Sequence, residues 1–312
     1  MARRFFFGGL RDAGARFTAR LVGFARAPVN VQESVNDCMG ESASAILDET
    51  KHDRTTATEG RALPAWIERA CILVPAFDAE ASIAEVISGL REAIPERREA
   101  IIVIDDGSRD STPRIARDLG CSVVTSSGAT PELRPVRNRG KGAALRAGLE
   151  AAHARGMSLA LSVDADGQHP PDEARRVLFA EGRETALVLG VRDLVRDGAP
   201  RANRFSNGIS NFFLSRFARR PLRDTQCGLR RYPVRETLAL RTSGQGYDFE
   251  AEVLLRAIWA GVDVVEEPVR VLYPEHRKTH FRVGRDVRQI IQTVVASVGD
   301  HWLRRDGSNE EA

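Results

Sequence analysis

From residue 68 to about residue 190 the chain alternates short, unbroken apolar runs with longer stretches of helical periodicity. The apolar runs are Cys71 to Val74, Ile101 to Ile104, Ser122 to Val124, Leu159 to Val163 and Ala186 to Leu189. Helical patterns separate them at Ser82 to Ile94, Ser111 to Leu119, Gly140 to Ala154 and Asp172 to Phe179. Continuous apolar strands need cover on both faces, and strands that alternate with helices pair in parallel. The pattern therefore predicts an α/β fold with a mostly parallel sheet flanked by helices. Ligands in such sheets bind beyond the carboxyl ends of the strands. Three predicted strands end in polar chemistry there: Pro75 to Glu80, Asp105 to Ser108, and Asp164 to His169.

Asp164 and Asp166 are two residues apart, so on extended chain both point to one side, with Gln168 two further on. One or two such carboxylates suit a magnesium or manganese ion that keeps several waters and shares substrate phosphates. A surface turn rich in Asp and Gly is the competing reading. His169, beside Pro170 and Pro171, suits capping of the next helix as well as metal ligation and stays outside the ligand set. Asp105 and Asp106 are adjacent and cannot face one way; one can accept from a base or ribose while the other caps the helix near Ser111. A plain turn and cap accounts for them equally. Asn138-Arg139-Gly140-Lys141-Gly142 precedes a helix, with glycines that admit close backbone approach to an anion and two cations to hold it. Neither GxxxxGK[ST] nor GxGxxG occurs, which argues against ATPase and dinucleotide readings.

Beyond residue 190, Phe205, Ile209, Phe212, Phe213 and Phe217 recur at helical spacing and predict a core stripe, with Arg192, Arg201 and Arg204 flanking it. Glu250 and Glu252 open a helix that runs to Ala260. Val283, Val287, Ile290, Ile291, Val294, Val295, Val298 and Trp302 form an amphipathic stripe expected to pack on the body, with a membrane surface as the alternative.

Charge and composition change the picture mainly at the start of the chain. The total of 46 basic and 43 acidic side chains leaves +3, too little to draw the whole protein to nucleic acid. Six Arg against Asp12 within residues 1–27, interleaved with Phe5, Phe6, Phe7, Phe17 and Phe24, suit a basic amphipathic segment on anionic lipid. Gln32 to Gly60 is acidic, rich in Ser, Thr and Ala, and reads as a flexible linker. The expected division is 1–66 for this leader, 67–285 for the catalytic body and 286–312 for a C-terminal helix and tail. Every apolar run is broken by charge before membrane-spanning length. Cys38, Cys71, Cys121 and Cys227 form no CxxC pair, which predicts reduced thiols and a cytoplasmic protein, at most peripheral on the inner face of a membrane.

Taken in order, Val74 to Glu80, Asp105 to Ser108, Asn138 to Gly142, Asp164 to Pro170, Asp224 to Arg230 and Phe249 to Glu252 resemble the family-2 glycosyltransferases, in particular the dolichol-phosphate mannose synthases. The resemblance covers roughly residues 70 to 285. It implies a GT-A-like fold whose nucleotide-binding half precedes an acceptor half. It implies that Pro75, Phe77, Glu80, Asp105, Asp106, Lys141 and Asp164 bind the nucleotide of a nucleotide-diphosphate sugar donor. Asp164, Asp166 and Gln168 would hold magnesium or manganese; Arg201 and Arg230 would grip phosphate; Asp224 would face the reaction centre. Phe77 and Asp78 stand where the family usually has Tyr and Asn, so a contact from the Tyr hydroxyl is missing. The implied reaction is an inverting transfer to a lipid-phosphate acceptor. Transfer to a hydroxyl with Asp224 as base, and a non-catalytic nucleotide-sugar binder, are the competing expectations.

Overall fold

The computed structural model describes residues 63–127, 137–273 and 288–299. All lie within one compact unit that runs Leu63–Ala312. The expectations for residues 1–62, and the stripe positions Val283, Val287 and Trp302, lie outside the described residues.

The element order is β1 (Ala70–Ala76), α1 (Ile83–Ala93), β2 (Ile101–Asp105), α2 (Thr112–Asp118), β3 (Ser122–Thr125), α3 (Lys141–Ala154), β4 (Leu159–Ser162), α4 (Pro171–Leu178), β5 (Leu187–Arg192), α5 (Arg201–Ala218), β6 (Arg230–Pro233), α6 (Val234–Ala239), α7 (Asp248–Trp259) and β7 (Val264–Val269). Residues 288–299 are also helical. Seven strands form one sheet in the order β3-β2-β1-β4-β6-β5-β7. All pairs are parallel except those made by β6, which runs antiparallel between β4 and β5. The five apolar runs all became strands, each within a few residues of its predicted bounds. Their helices cover both faces, so one core lies under α1, α2 and α4 and another under α3, α5 and α7. Ile290 and Val294 are buried in the second core, so the C-terminal stripe packs on the body there.

Two features depart from the sequence pattern. β6 reads Arg230-Arg231-Tyr232-Pro233, yet all four residues are buried. Burying a guanidinium is tolerable only when its donors are satisfied. Arg230 donates from all three nitrogens to the carbonyls of Cys227, Glu250 and Thr225. Arg231 is satisfied only in part: Nη1 donates to the carbonyls of Leu178 and Ala180, Nε and Nη2 have no hydrogen-bond partner among the described residues, and the guanidinium lies 5.7 Å from the Trp66 ring. The second departure is the Phe stripe. α5 forms, but Phe205 and Phe212 face outward at 68% and 67% exposure, while Ser206, Asn207, Ser210 and Leu214 line the buried side.

Because β6 is antiparallel, the loop before it arrives at the same sheet edge where β1, β2, β4 and β5 end. Ser162 at the end of β4 pairs with Arg230 at the start of β6. That single reversal brings Asp224 to the edge that already carries Asp105 and Asp164.

Candidate active site

The site grows from the loops at this edge. The β1–α1 loop is laced to the loop after β2. Amides of Asp78, Ala79 and Glu80 donate to Ser108 Oγ, Thr112 Oγ1 and Asp110 Oδ2, at 3.0, 2.8 and 3.1 Å. In return Asp78 Oδ1 accepts from the Arg109 amide and Glu80 Oε2 from the Ser111 amide. Asp105 Oδ1 accepts from the amide of Ser108 within its own turn. Asp106 reaches across to the loop before α3, where its two oxygens accept from the amides of Arg139 and Gly140, both at 2.8 Å. Gly140 has φ +97° and lies so close to the Gln245 carbonyl that a Cβ would sit 2.5 Å from that oxygen, so a side chain is excluded on both counts. Asp106 and Gly140 together set the start of α3, and with it Lys141.

Lys141 is the centre of the charged part of the site. Its Nζ lies 2.7 Å from Asp164 Oδ1, 3.2 Å from Glu250 Oε1 and 6.0 Å from the Tyr247 ring centroid. Burial by itself would lower its pKa, but the carboxylates of Asp164 and Glu250 outweigh burial and hold the ammonium above its usual range. Asp164 answers in the opposite direction: burial would raise it, and Lys141 holds it below the usual carboxylate range. Gly228, in the loop before β6, backs onto this pair. A Cβ there would collide with Asp164 Oδ2 and sit 2.5 Å from Lys141 Nζ.

Beside it, Arg192 at the end of β5 grips the fully buried Asp224 in a fork, Nε to Oδ2 at 2.7 Å and Nη2 to Oδ1 at 3.0 Å. Amides of Arg192 and Gln226 donate to the same carboxylate. Burial alone would raise Asp224, but Arg192 outweighs it and keeps the carboxyl below its usual range. His169 is buried with its Nδ1 unpartnered among the described residues; desolvation pushes its pKa down to about 4, so it is neutral at pH 7.

Asp166 Oδ1 accepts from the Gln168 amide at 3.1 Å and Oδ2 from Gln168 Nε2 at 2.7 Å. Gln168 therefore serves Asp166 as a donor through its nitrogens, and the metal ligation expected of it would use its other side-chain atom, Oε1. Among the described residues no group of three or more His, Cys, Asp or Glu is arranged to hold a metal. The donor set is two carboxylates two residues apart at a strand end. That chemistry fits a hard cation that keeps waters and is completed by substrate phosphate, not a closed protein cage.

Arg230, expected to grip phosphate, is fully buried, and its Nε, Nη1 and Nη2 each donate to a backbone carbonyl, of Cys227, Glu250 and Thr225, so that it holds the 225–227 loop. Arg201, the first residue of α5, is exposed. Pro75 lies in β1, and Phe77 and Glu80 lie in the loop beyond it. Arg192 and Glu250 are the site residues whose parts sequence reasoning missed. Each was noted only as a flanking charge or a helix opener, although Arg192 ends a strand at the carboxyl edge, the signal that marked the Asp loops. Cys71, Cys121 and Cys227 are free and buried.

Polar strand ends gathered at one edge of a mostly parallel, seven-stranded sheet define a GT-A-like fold. The chain matches the family described as glycosyl transferase family 2 over residues 71–235, and it belongs to that family. It is a glycosyltransferase. Its relatives include a polyprenol monophosphomannose synthase of Mycolicibacterium smegmatis, 30% identical over 65% of this chain and 77% of that protein. Another is a dolichyl-phosphate beta-glucosyltransferase of Drosophila melanogaster, 30% identical over 70% of this chain and 73% of that protein. Among solved structures, glucosyl-3-phosphoglycerate synthase from Mycobacterium tuberculosis, in complex with magnesium and uridine diphosphate, has a similar fold. It superposes with a TM-score of 0.59 at 23% identity, over 77% of this chain and 85% of that one.

Proposed function

We propose that the protein transfers a sugar from a nucleoside-diphosphate sugar to a polyprenyl phosphate, with inversion at the anomeric carbon. The observation that carries the phosphate acceptor is the state of Asp224. A hydroxyl acceptor needs a base to take its proton. Asp224 is the carboxylate expected in that part, yet it is locked in a bidentate pair with Arg192, accepts two amides besides, and has a depressed pKa. A carboxylate so satisfied is a poor proton acceptor. A phosphate monoester, with a second pKa near 6, needs no base at neutral pH.

The acceptor oxygen attacks the anomeric carbon, the bond from that carbon to the diphosphate oxygen breaks, and the electron pair leaves with the nucleoside diphosphate. One displacement inverts the centre. The loops built on Pro75, Phe77, Glu80, Asp105 and Asp106 form the nucleotide cradle. Lys141, held cationic by its carboxylate partners, supplies fixed positive charge to the diphosphate. Asp164 and Asp166 would hold magnesium or manganese, which when bound offsets charge on the departing diphosphate. Gln168 holds Asp166 in place. Arg201, exposed at the start of α5, is available to the acceptor phosphate, since a guanidinium fork matches phosphate oxygens. The polyprenyl-phosphate relatives support this reading, and a polyprenyl tail sets the reaction at a membrane surface, on its cytoplasmic side. No helix among the described residues is long and apolar enough to cross a membrane.

The test is the pH profile of kcat/KM for wild type and Asp224→Asn with a short polyprenyl phosphate. Both should share an acid limb near pH 6 that belongs to the acceptor, and the variant should lose about tenfold in rate at every pH. A loss beyond about a thousandfold, roughly 4 kcal/mol of barrier, together with disappearance of the limb, would establish Asp224 as a base and a hydroxyl as acceptor.

A further inference from the structure

α5 has two faces of opposite purpose. Its inner face holds the loop that carries Asp224. Thr225 Oγ1 donates to Ser210 Oγ at 2.8 Å, Asn211 Nδ2 donates to the Arg223 carbonyl at 2.6 Å, and Gln226 Nε2 donates to Ser206 Oγ at 3.2 Å. Its outer face presents Phe205 and Phe212, two turns apart and about 10 Å along the axis, both about two-thirds exposed. Phe213 stands edge-on to Phe212 with centroids 5.5 Å apart. Large aromatic side chains this exposed, side by side on one helix, mark an interaction surface.

The charge around them says what it meets. From Gly198 to Arg223 the chain has six Arg (Arg201, Arg204, Arg216, Arg219, Arg220 and Arg223) and no acidic residue. Arg223 pairs with Glu266. Arg201, Arg216 and Arg219 are exposed. Arg201 and Arg216 bracket the two Phe on the exposed side of the helix, and Arg219 follows as its left-handed C-cap. An apolar stripe bordered by cations along a helix is the pattern that seats in the headgroup boundary of an anionic bilayer, rings in the acyl region and guanidiniums at the phosphates.

We propose that the outer face of α5 docks the enzyme on an anionic lipid surface. The inner face of the same helix holds the Asp224 loop, so docking brings the reaction centre to within a helix width of the bilayer, where a lipid-borne phosphate is presented. This purpose rests on the lipid-acceptor reading; the docking does not.

The experiment is co-sedimentation of the full-length protein with vesicles of phosphatidylcholine, with and without phosphatidylglycerol, and with no polyprenyl phosphate present. Wild type should bind the phosphatidylglycerol vesicles, and more weakly as salt rises. Phe205→Ser/Phe212→Ser should weaken that binding about tenfold or more, with thermal melt and nucleoside-diphosphate affinity unchanged. Arg216→Gln/Arg219→Gln should weaken binding to the anionic vesicles only. The basic segment of residues 1–27 is retained in every variant, so the losses report α5. Wild-type binding by the double Phe variant, or no binding by wild type, overturns the proposal. So does a change of oligomeric state in the double Phe variant by light scattering without lipid, which would make the face a protein interface. Turnover of a short, dispersed polyprenyl phosphate without vesicles tests the acceptor reading separately. An enzyme that binds vesicles but ignores that substrate would fail the acceptor and keep the docking face.

Discussion

Two clusters of carboxylates meet at the carboxyl edge of the sheet, and they are satisfied in different ways. Around Asp105 and Asp106 the partners are backbone amides: Ser108 for the first, Arg139 and Gly140 for the second. Around Asp164 and Asp224 cationic side chains, Lys141 and Arg192, take the leading place, with two amides besides at Asp224. An amide cannot leave its acceptor unless the loop itself moves, so the first cluster builds the cradle and fixes where α3 begins. A lysine or arginine side chain can exchange a carboxylate for a phosphate by rotating a few bonds. The second cluster therefore holds charge in a form that an anionic substrate can share. Four similar acids in sequence divide into two held by amides alone and two paired with cations.

Substitutions in the charged cluster should break activity before they break the fold. Asp166→Asn is expected to abolish transfer, beyond about a thousandfold, and to remove the magnesium dependence of nucleoside-diphosphate binding measured by calorimetry. Equal, metal-dependent affinities in the two proteins would overturn the metal assignment.

Gly228→Ala is the next largest. Its added methyl would meet Asp164 Oδ2 and lie 2.5 Å from Lys141 Nζ, forcing the ion pair apart. Misplacement on that scale costs up to about 100-fold, so kcat/KM should fall by about that much. An enzyme at full activity would mean the pair can shift freely and does not set the site.

In the amide-bound cluster the order reverses. Asp106→Ala leaves two part-buried amides, of Arg139 and Gly140, without their acceptor, which costs about 1 kcal/mol of stability, read as a drop of a few degrees in the melt. A variant that melts like wild type yet no longer binds nucleotide would show that Asp106 contacts the nucleotide directly, and the contrast between the clusters would fall.

The smallest effect is a pH dependence. Asp164 and Asp224 both have carboxyls lowered in the folded state. Such groups contribute stability that is fully present above the unfolded value, about 3.9, and lost as pH falls through the folded value. The contribution of these two should therefore be constant from pH 8 to about pH 5 and decline only below pH 4. Thermal melts of wild type and Asp224→Asn should run parallel above pH 5 and converge below pH 4. A wild type that instead gains stability relative to Asp224→Asn as pH falls from 7 to 5 would place the Asp224 carboxyl above its usual range and restore it as a base.

What could be read from the chain alone follows a physical divide. Burial on both faces of a strand, helical periodicity and the polar residues at a strand end are all local properties, so β1 to β5, their helices and the Asp105 and Asp164 loops are legible as written. β6 is not, because Arg230 and Arg231 look like surface residues until the carbonyls of Thr225, Cys227, Glu250, Leu178 and Ala180 converge on them. α5 is half legible. Its Phe spacing announces a helix, and Phe217 packs on the core, but Phe205 and Phe212 face outward, since Ser206, Ser210 and Asn211 hold the Asp224 loop on the inner side. Asp224 itself stands out in sequence as a candidate base, and only Arg192, 32 residues away, makes it a bound counter-ion instead. Local pattern determines which segments are strand or helix and where chemistry can gather. Which buried charge meets which partner depends on segments far apart in the chain, and that was decided by the antiparallel insertion of β6.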